Sequence, residues 1–112
     1  MARPVRQNSP LTEPVLMVLL SLVEGPRHGY SIIKDVEQMS SGRVRLSTGT
    51  LYGALQRLLE REWIEPVEED DPSRGRRAYR LTAVGRRNLK QEFARMKDLT
   101  RLADLRISRR RA

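Results

Sequence analysis

Between positions 47 and 57 the chain reads Ser-Thr-Gly-Thr-Leu-Tyr-Gly-Ala-Leu-Gln-Arg, a run whose polar members could meet a polyanion. Gln56 can hydrogen-bond two groups on the edge of an adenine, and Arg57 two on a guanine. Tyr52 can reach a base or a phosphate. Ser47 and Thr50 can cap a helix that starts at Thr48, and a helix start also turns backbone N–H groups toward phosphate. A second group, Arg74, Arg76 and Arg77, lies in a segment rich in Pro, Gly and Ser, and guanidinium forks match phosphate oxygens. Five acids come just before it (Glu65, Glu68, Glu69, Asp70 and Asp71), so the tip rather than the preceding strand must be what approaches a polyanion. Tyr30 and Lys34 add a further pair of candidate phosphate contacts.

Catalysis has little to stand on. The chain has no cysteine and a single histidine, His28, which excludes disulfides, thiolate metal sites and Cys nucleophiles. It shows no Ser/His/Asp arrangement, paired carboxylates or phosphate-cradling glycine loop. Neither an enzyme, a metal nor a cofactor is expected, and His28 reads as a turn or capping residue.

The 112 residues carry 22 Lys and Arg against 14 Asp and Glu, a formal charge of +8. Residues 86–112 hold ten of those basic groups and three of the acids, so the excess belongs to the C-terminal quarter. Net charge thus points to a polyanionic partner without locating the surface that meets it. Length fits one domain that buries roughly 65% of its unfolded surface. With aromatics at 4%, the core must be aliphatic.

The elements that would hold these residues follow from periodicity and punctuation. Arg3 and Arg6 precede the apolar run Val15–Leu20 as in a targeting segment, but no small-x-small site follows and the run is too short to span a bilayer. It reads instead as a buried helix capped by Thr12 and stopped by Gly25-Pro26. A second helix fits His28 to Ser40, with Ile32, Ile33, Val36 and Met39 inward. Arg43-Val44-Arg45-Leu46 alternates and is expected as a short strand.

The third helix, Thr48 to about Glu62, turns Leu51, Ala54, Leu55, Leu58 and Leu59 inward. At 100° per residue, Gly49, Gly53, Gln56 and Glu60 fall on the opposite face, flanked by Tyr52 and Arg57. Each glycine costs a helix about 1 kcal/mol relative to alanine. Packing inside the domain does not explain them, whereas close approach of another molecule would. Residues 63–69 and 78–82 read as a hairpin whose tip carries the arginines, with Pro66 demanding an edge.

Thr82 can cap a last helix from Ala83 to about Ile107. Its apolar positions Leu89, Phe93, Met96, Leu99, Leu102 and Leu105 have no later segment to cover them, and a second copy of the chain is the economical partner. The expected division is a flexible basic arm at 1–10, a DNA-binding domain at 11–82, a dimerisation helix at 83–108 and a basic tail at 109–112. The fold class is mainly α with a small β hairpin, the winged helix-turn-helix plan, in which the third helix enters the major groove and the wing lies on the backbone.

Three blocks carry a resemblance: His28-Gly29-Tyr30, then Gly49-Thr50-Leu51-Tyr52-Gly53-Ala54-Leu55-Gln56-Arg57-Leu58, then Tyr79-Arg80-Leu81-Thr82-Ala83-Val84-Gly85. Together they resemble the PadR-type transcriptional regulators, from about Leu11 to Leu89, in the branch with one C-terminal helix. The resemblance implies a cytoplasmic homodimeric repressor of near-palindromic double-stranded DNA operators, released by a small aromatic effector. Two positions depart from the family: Gly53 stands where proline is frequent, and Trp63 where a glycine is common before the hairpin. The alternatives are a winged-helix module that docks on protein, against which the polar third-helix face weighs, and a membrane-surface role for the last helix. No membrane partner is expected, because that helix lacks the bulky aromatic face of interfacial helices.

Overall fold

A computed structural model describes residues 11–68 and 77–109. Helix α1 (Glu13–Ser21) is capped by Thr12, whose Oγ1 accepts from the Val15 N–H at 3.4 Å, with Glu13 and Pro14 in the first turn. The Glu13 carboxyl is held below its ordinary pKa first by its hydrogen bond to Arg43, with desolvation opposing and that guanidinium's charge adding to the lowering. A two-residue strand β1 (Arg27–His28) leads into α2 (Gly29–Met39), and α3 (Thr48–Glu60) follows. Strands β2 (Ile64–Val67) and β3 (Ala78–Leu81) and the long helix α4 (Ala83–Arg109) complete the described residues.

The sheet order is β1-β3-β2, antiparallel throughout, so β2 is an edge and Pro66 has the edge position its missing N–H requires. The third strand is not where alternation placed it. Arg43–Leu46 forms no strand, because the Ser40 hydroxyl takes the groups a ladder would need: Val44 N–H donates to Ser40 Oγ at 2.9 Å, and that hydroxyl donates to Val44 O at 3.3 Å. The sheet is completed instead by Arg27, paired with Tyr79, and His28, paired with Ala78.

The core is aliphatic. Val18 and Leu19 of α1, Ile32 and Val36 of α2, Leu51, Leu55 and Leu58 of α3, and Ile64 of β2 are buried, with Tyr79 as the aromatic member. Each such side chain contributes about 1.5–3 kcal/mol. Met39, expected on the inner face of α2, is instead exposed at the end of that helix. Arg27 clasps the helices from β1: its Nε donates to Ser21 O at 2.7 Å, its Nη1 to Ser31 Oγ at 3.0 Å, and Nη2 stands 3.6 Å from Asp35.

Both α2 and α3 end in a residue with left-handed φ. Ser41 (φ 54°) follows α2, with Gly42 N–H donating to Glu37 O and Ser41 N–H to Gln38 O. Glu62 (φ 63°) follows α3, with Trp63 N–H donating to Leu58 O and Glu62 N–H to Leu59 O. These are paired Schellman closures. The position calling for glycine before the hairpin is therefore Glu62, not Trp63 as the resemblance placed it.

Trp63 itself is half-buried against the core, and its carbonyl anchors α4. Thr82 N–H donates to it at 2.9 Å; the Thr82 hydroxyl donates to Glu62 O at 2.7 Å, with Trp63 O a longer alternative at 3.0 Å, and its Oγ1 accepts from Gly85 N–H at 3.0 Å, capping α4. A Cβ at Gly85 would collide with the Trp63 carbonyl. Leu89 is buried, and Phe93 and Met96 pack partly on the core; beyond them α4 leaves the domain.

Candidate nucleic-acid interface

Ser47 caps α3 as its sequence position implies: its Oγ accepts from Thr50 N–H at 3.1 Å and donates to Thr50 Oγ1 at 2.9 Å. Capping and outward presentation coexist, since Ser47, Thr48, Gly49 and Thr50 are all exposed. The turn thus presents hydroxyls and early backbone N–H groups on a surface a phosphate could approach.

Along α3 the inner and outer faces separate cleanly. Leu51, Ala54, Leu55 and Leu58 are buried, whereas Gln56 and Arg57 are exposed and Gly53 is half-exposed. Among the described residues, and apart from its chain neighbours and the helix's own nearby backbone, no atom lies within 4 Å of a Cβ built at Gly49, and one at Gly53 would meet Arg57 Nη1 at 3.9 Å. Neither glycine is needed by packing within the described domain. Gln56 Nε2 reaches Glu60 Oε2 at 3.5 Å, a contact at the limit of hydrogen bonding that leaves the amide able to turn to a base.

Tyr52, on the flank, is 46% exposed, and its hydroxyl lies toward Gly29 at the first turn of α2. Beside it Tyr30 is 71% exposed, with Lys34 Nζ 5.8 Å from its ring centroid, a cation–π pair one helical turn apart. Arg77 is exposed just ahead of β3. Arg74 and Arg76, the other wing candidates, lie outside the described residues, as do the 1–10 arm and the last residues of the basic tail.

The residues expected at a dimer interface divide into two groups. Leu89 is 4% exposed and Phe93 and Met96 are half-buried, all three against the protomer's own core. Leu99, Leu102 and Leu105 are exposed, and so is Ile107, which the apolar spacing did not single out. Leu89 therefore belongs to the domain, because a side chain so fully covered has no area left for a partner.

Sequence reasoning missed the Arg27 clasp and the close approach at Gly29. Arg27 sits between a proline and the lone histidine with no periodic signal around it. Gly29 appeared only as one letter of a resembling block. Among the described residues no helix is long and apolar enough to cross a membrane, and no three His, Cys, Asp or Glu residues cluster to hold a metal.

Residues 18–91 match the model of a family described as the transcriptional regulator PadR-like family. The chain is 30% identical over 87 residues to uncharacterised protein X of Lysinibacillus sphaericus, covering 74% of this chain and 80% of that one. It is 44% identical over 78 residues to an uncharacterised 37.1 kDa transposon protein of Streptomyces fradiae, covering 69% of this chain. The match spans 21% of that relative's length.

Among solved structures, a PadR family transcription regulator from Clostridium difficile superposes with a TM-score of 0.71 at 21% identity, over 86% of this chain and 99% of that one. BpsR of Bordetella bronchiseptica, whose DNA binding is regulated by 6-hydroxynicotinic acid, gives 0.64 at 19% identity, over 92% and 76%. These two likenesses are of fold, and they match the winged-helix architecture expected from the order of elements.

Proposed function

The chain belongs to the PadR-like family of transcriptional regulators, and on that premise we propose that it is a homodimeric repressor that reads a near-palindromic operator with one α3 per half-site. As a member of that family it is a DNA-binding regulator and not an enzyme. The observation that carries the proposal is the outer face of α3, where Gly49 and Gly53 remove bulk beside Gln56 and Arg57 while the opposite face fills the core. A backbone that needs no glycine for its own packing has made room for something to come close.

In this proposal Gln56 and Arg57 read base edges, and Ser47, Thr48, Thr50, Tyr52, Tyr30 and Lys34 hold the backbone. Arg74, Arg76 and Arg77 grip it from the wing. Residues 11–82 form the reading domain, and the part of the 83–108 segment beyond Met96 meets its counterpart in a second copy. Basic flanks at 1–10 and 109–112 add counter-ion release, and the site of action is the cytoplasm. Release by a small aromatic compound is part of the same proposal, supported by the family resemblance and by the ligand-regulated BpsR.

Selection of bound duplexes from a random library tests the central claim. The expected result is an enriched near-palindrome, bound with an affinity that falls steeply with salt. A promoter carrying that sequence should lose transcription when the protein is added, and a panel of small aromatic acids should contain one that restores it. Enrichment of no sequence would reject base reading by α3.

A further inference from the structure

The start of α4 is held to the domain from two sides, and one of them leads straight back to α3. The closure that ends α3 leaves no slack: Glu62 N–H donates to Leu59 O and Trp63 N–H to Leu58 O, each at 3.0 Å. Trp63 O then accepts from Thr82 N–H at 2.9 Å, and the Thr82 hydroxyl donates to Glu62 O at 2.7 Å. On the other side Arg86 Nη2 donates to Val23 O at 2.9 Å, just past the end of α1.

Gly85 is where this joint is tightest. A Cβ built there would stand 2.1 Å from Trp63 O, 2.9 Å from Trp63 C and 3.0 Å from its Cα, all of them backbone atoms. Thr82 and Arg86 supply the bonds, and the glycine lets the helix lie against the carbonyl. From there α4 runs unbroken from Ala83 to Arg109, so its first turn fixes the direction in which the exposed Leu99, Leu102 and Leu105 leave the domain.

We propose that Gly85 is a positioning residue for half-site spacing: by seating α4 on the carbonyl that closes α3, it sets the distance between the two reading helices of a dimer. The inference rests on the homodimeric DNA-binding reading and adds to it a residue buried within the protomer, away from both DNA and the second copy.

The lever is long enough to matter. Gly85→Ala pushes the helix start back by about 1 Å, to bring a 2.1 Å approach to an ordinary contact of about 3 Å. Leu89, one turn on, and Phe93 stay on the core and act as the fulcrum. With about 6 Å of helix on one side of Leu89 and about 15–24 Å on the other, the apolar band swings by about 2–4 Å. That is about the 3.4 Å rise of one base pair, and it enters once per protomer.

The test uses the duplex selected by the parent, with base pairs inserted or removed at its centre, and a second duplex carrying one half-site. The parent should lose about tenfold or more for one pair inserted or removed. Gly85→Ala should remain a dimer by light scattering and bind the single half-site as the parent does. It should bind the parent's duplex about tenfold more weakly and prefer a centre changed by about one or two base pairs. Thr82→Ala, which removes the hydroxyl bond without adding bulk, should broaden the same optimum without moving it.

A folded, dimeric Gly85→Ala that keeps the parent's optimum overturns the proposal. So does an equal loss on every duplex, the single half-site included, because that is what a merely structural role would give. If Gly85→Ala does not fold, Thr82→Ala decides, and a spacing profile identical to the parent's overturns the proposal. A parent that reads its half-site with no spacing preference removes this role for Gly85 and leaves the DNA-binding reading standing. A parent that binds no duplex removes both.

Discussion

Helices α3 and α4 each leave a surface the domain does not cover, and the two are opposite in kind. That of α3 is polar and stripped of bulk at Gly49 and Gly53, with Arg57 its single basic residue. That of α4 beyond Met96 shows Leu99, Leu102, Leu105 and Ile107, between 49% and 62% exposed, set among Lys97, Arg101, Arg106 and Arg109. Water solvates the first without penalty. It disfavours the second by about 25 cal/mol for each Å² of apolar surface. Charge and surface character are therefore separated along the chain: the more basic helix carries the apolar band, and the less basic one carries the polar, thinned face that the proposed function sets against DNA.

The strongest way to break this contrast is to charge the α4 band. Leu99→Glu with Leu102→Glu leaves Phe93 and Met96 on the core, so the domain should melt as before. Light scattering should report a monomer, and operator affinity should fall by about 100-fold or more, since two half-sites can no longer be held together. An unchanged dimer mass would place the interface elsewhere.

The band has a shape as well as a composition. A straight seam continuing Leu89, Phe93 and Met96 would run through Thr100 and Ala103, which are not bulky, and the Thr100 hydroxyl donates to Met96 O at 2.8 Å. Leu99, Leu102 and Leu105 step back roughly 60° per three residues, winding the apolar surface around the helix. A second copy packed along such a three-residue row, as the proposed function has it, would be inclined to the α4 axis.

Next in size is the refilling of the α3 face. Gly53→Ala places a methyl group where only the tip of Arg57 is near, and should raise stability by about 1 kcal/mol. Its operator affinity should fall about tenfold, so the variant gains in a thermal melt and loses in a titration. Equal binding would mean that close approach is not why the glycine is there. Gln56→Ala is narrower still: melting should hardly move, while preference at one base pair relaxes by about 1–3 kcal/mol.

Much of this contrast was legible in the sequence because it depends on local rules. Thr12, Ser47 and Thr82 each announce a helix start by their type and place, and each makes the expected capping bond. The α3 stripe and its glycine face follow from spacing alone. What escaped depends on contacts between distant residues. Two residues are too few for periodicity to identify β1, whereas Arg43–Leu46 alternated well but lost its ladder groups to Ser40. The α4 positions looked like one stripe because sequence does not say where a helix leaves its own domain. Leu89 shares the spacing of the exposed leucines yet lies inside the domain.

The smallest effect concerns the joint between the two contrasted helices. Glu62 holds φ 63° at the end of α3, a conformation in which a Cβ crowds the backbone at a cost of about 1 kcal/mol. Its backbone is committed by the closure onto Leu58 and Leu59, so the strain has no local escape. The next residue, Trp63, offers the carbonyl on which Thr82 and Gly85 seat α4. Glu62→Gly should therefore relieve strain without moving either helix. The folded state gains up to about 1 kcal/mol, less the extra chain entropy glycine brings to the unfolded state, and the melting temperature should rise by a few degrees. Dimer mass and operator affinity should both stay at parent values. A loss of affinity in this variant would show that the Glu62 side chain, rather than its backbone, orients α3, and the joint would then be part of the reading surface instead of its support.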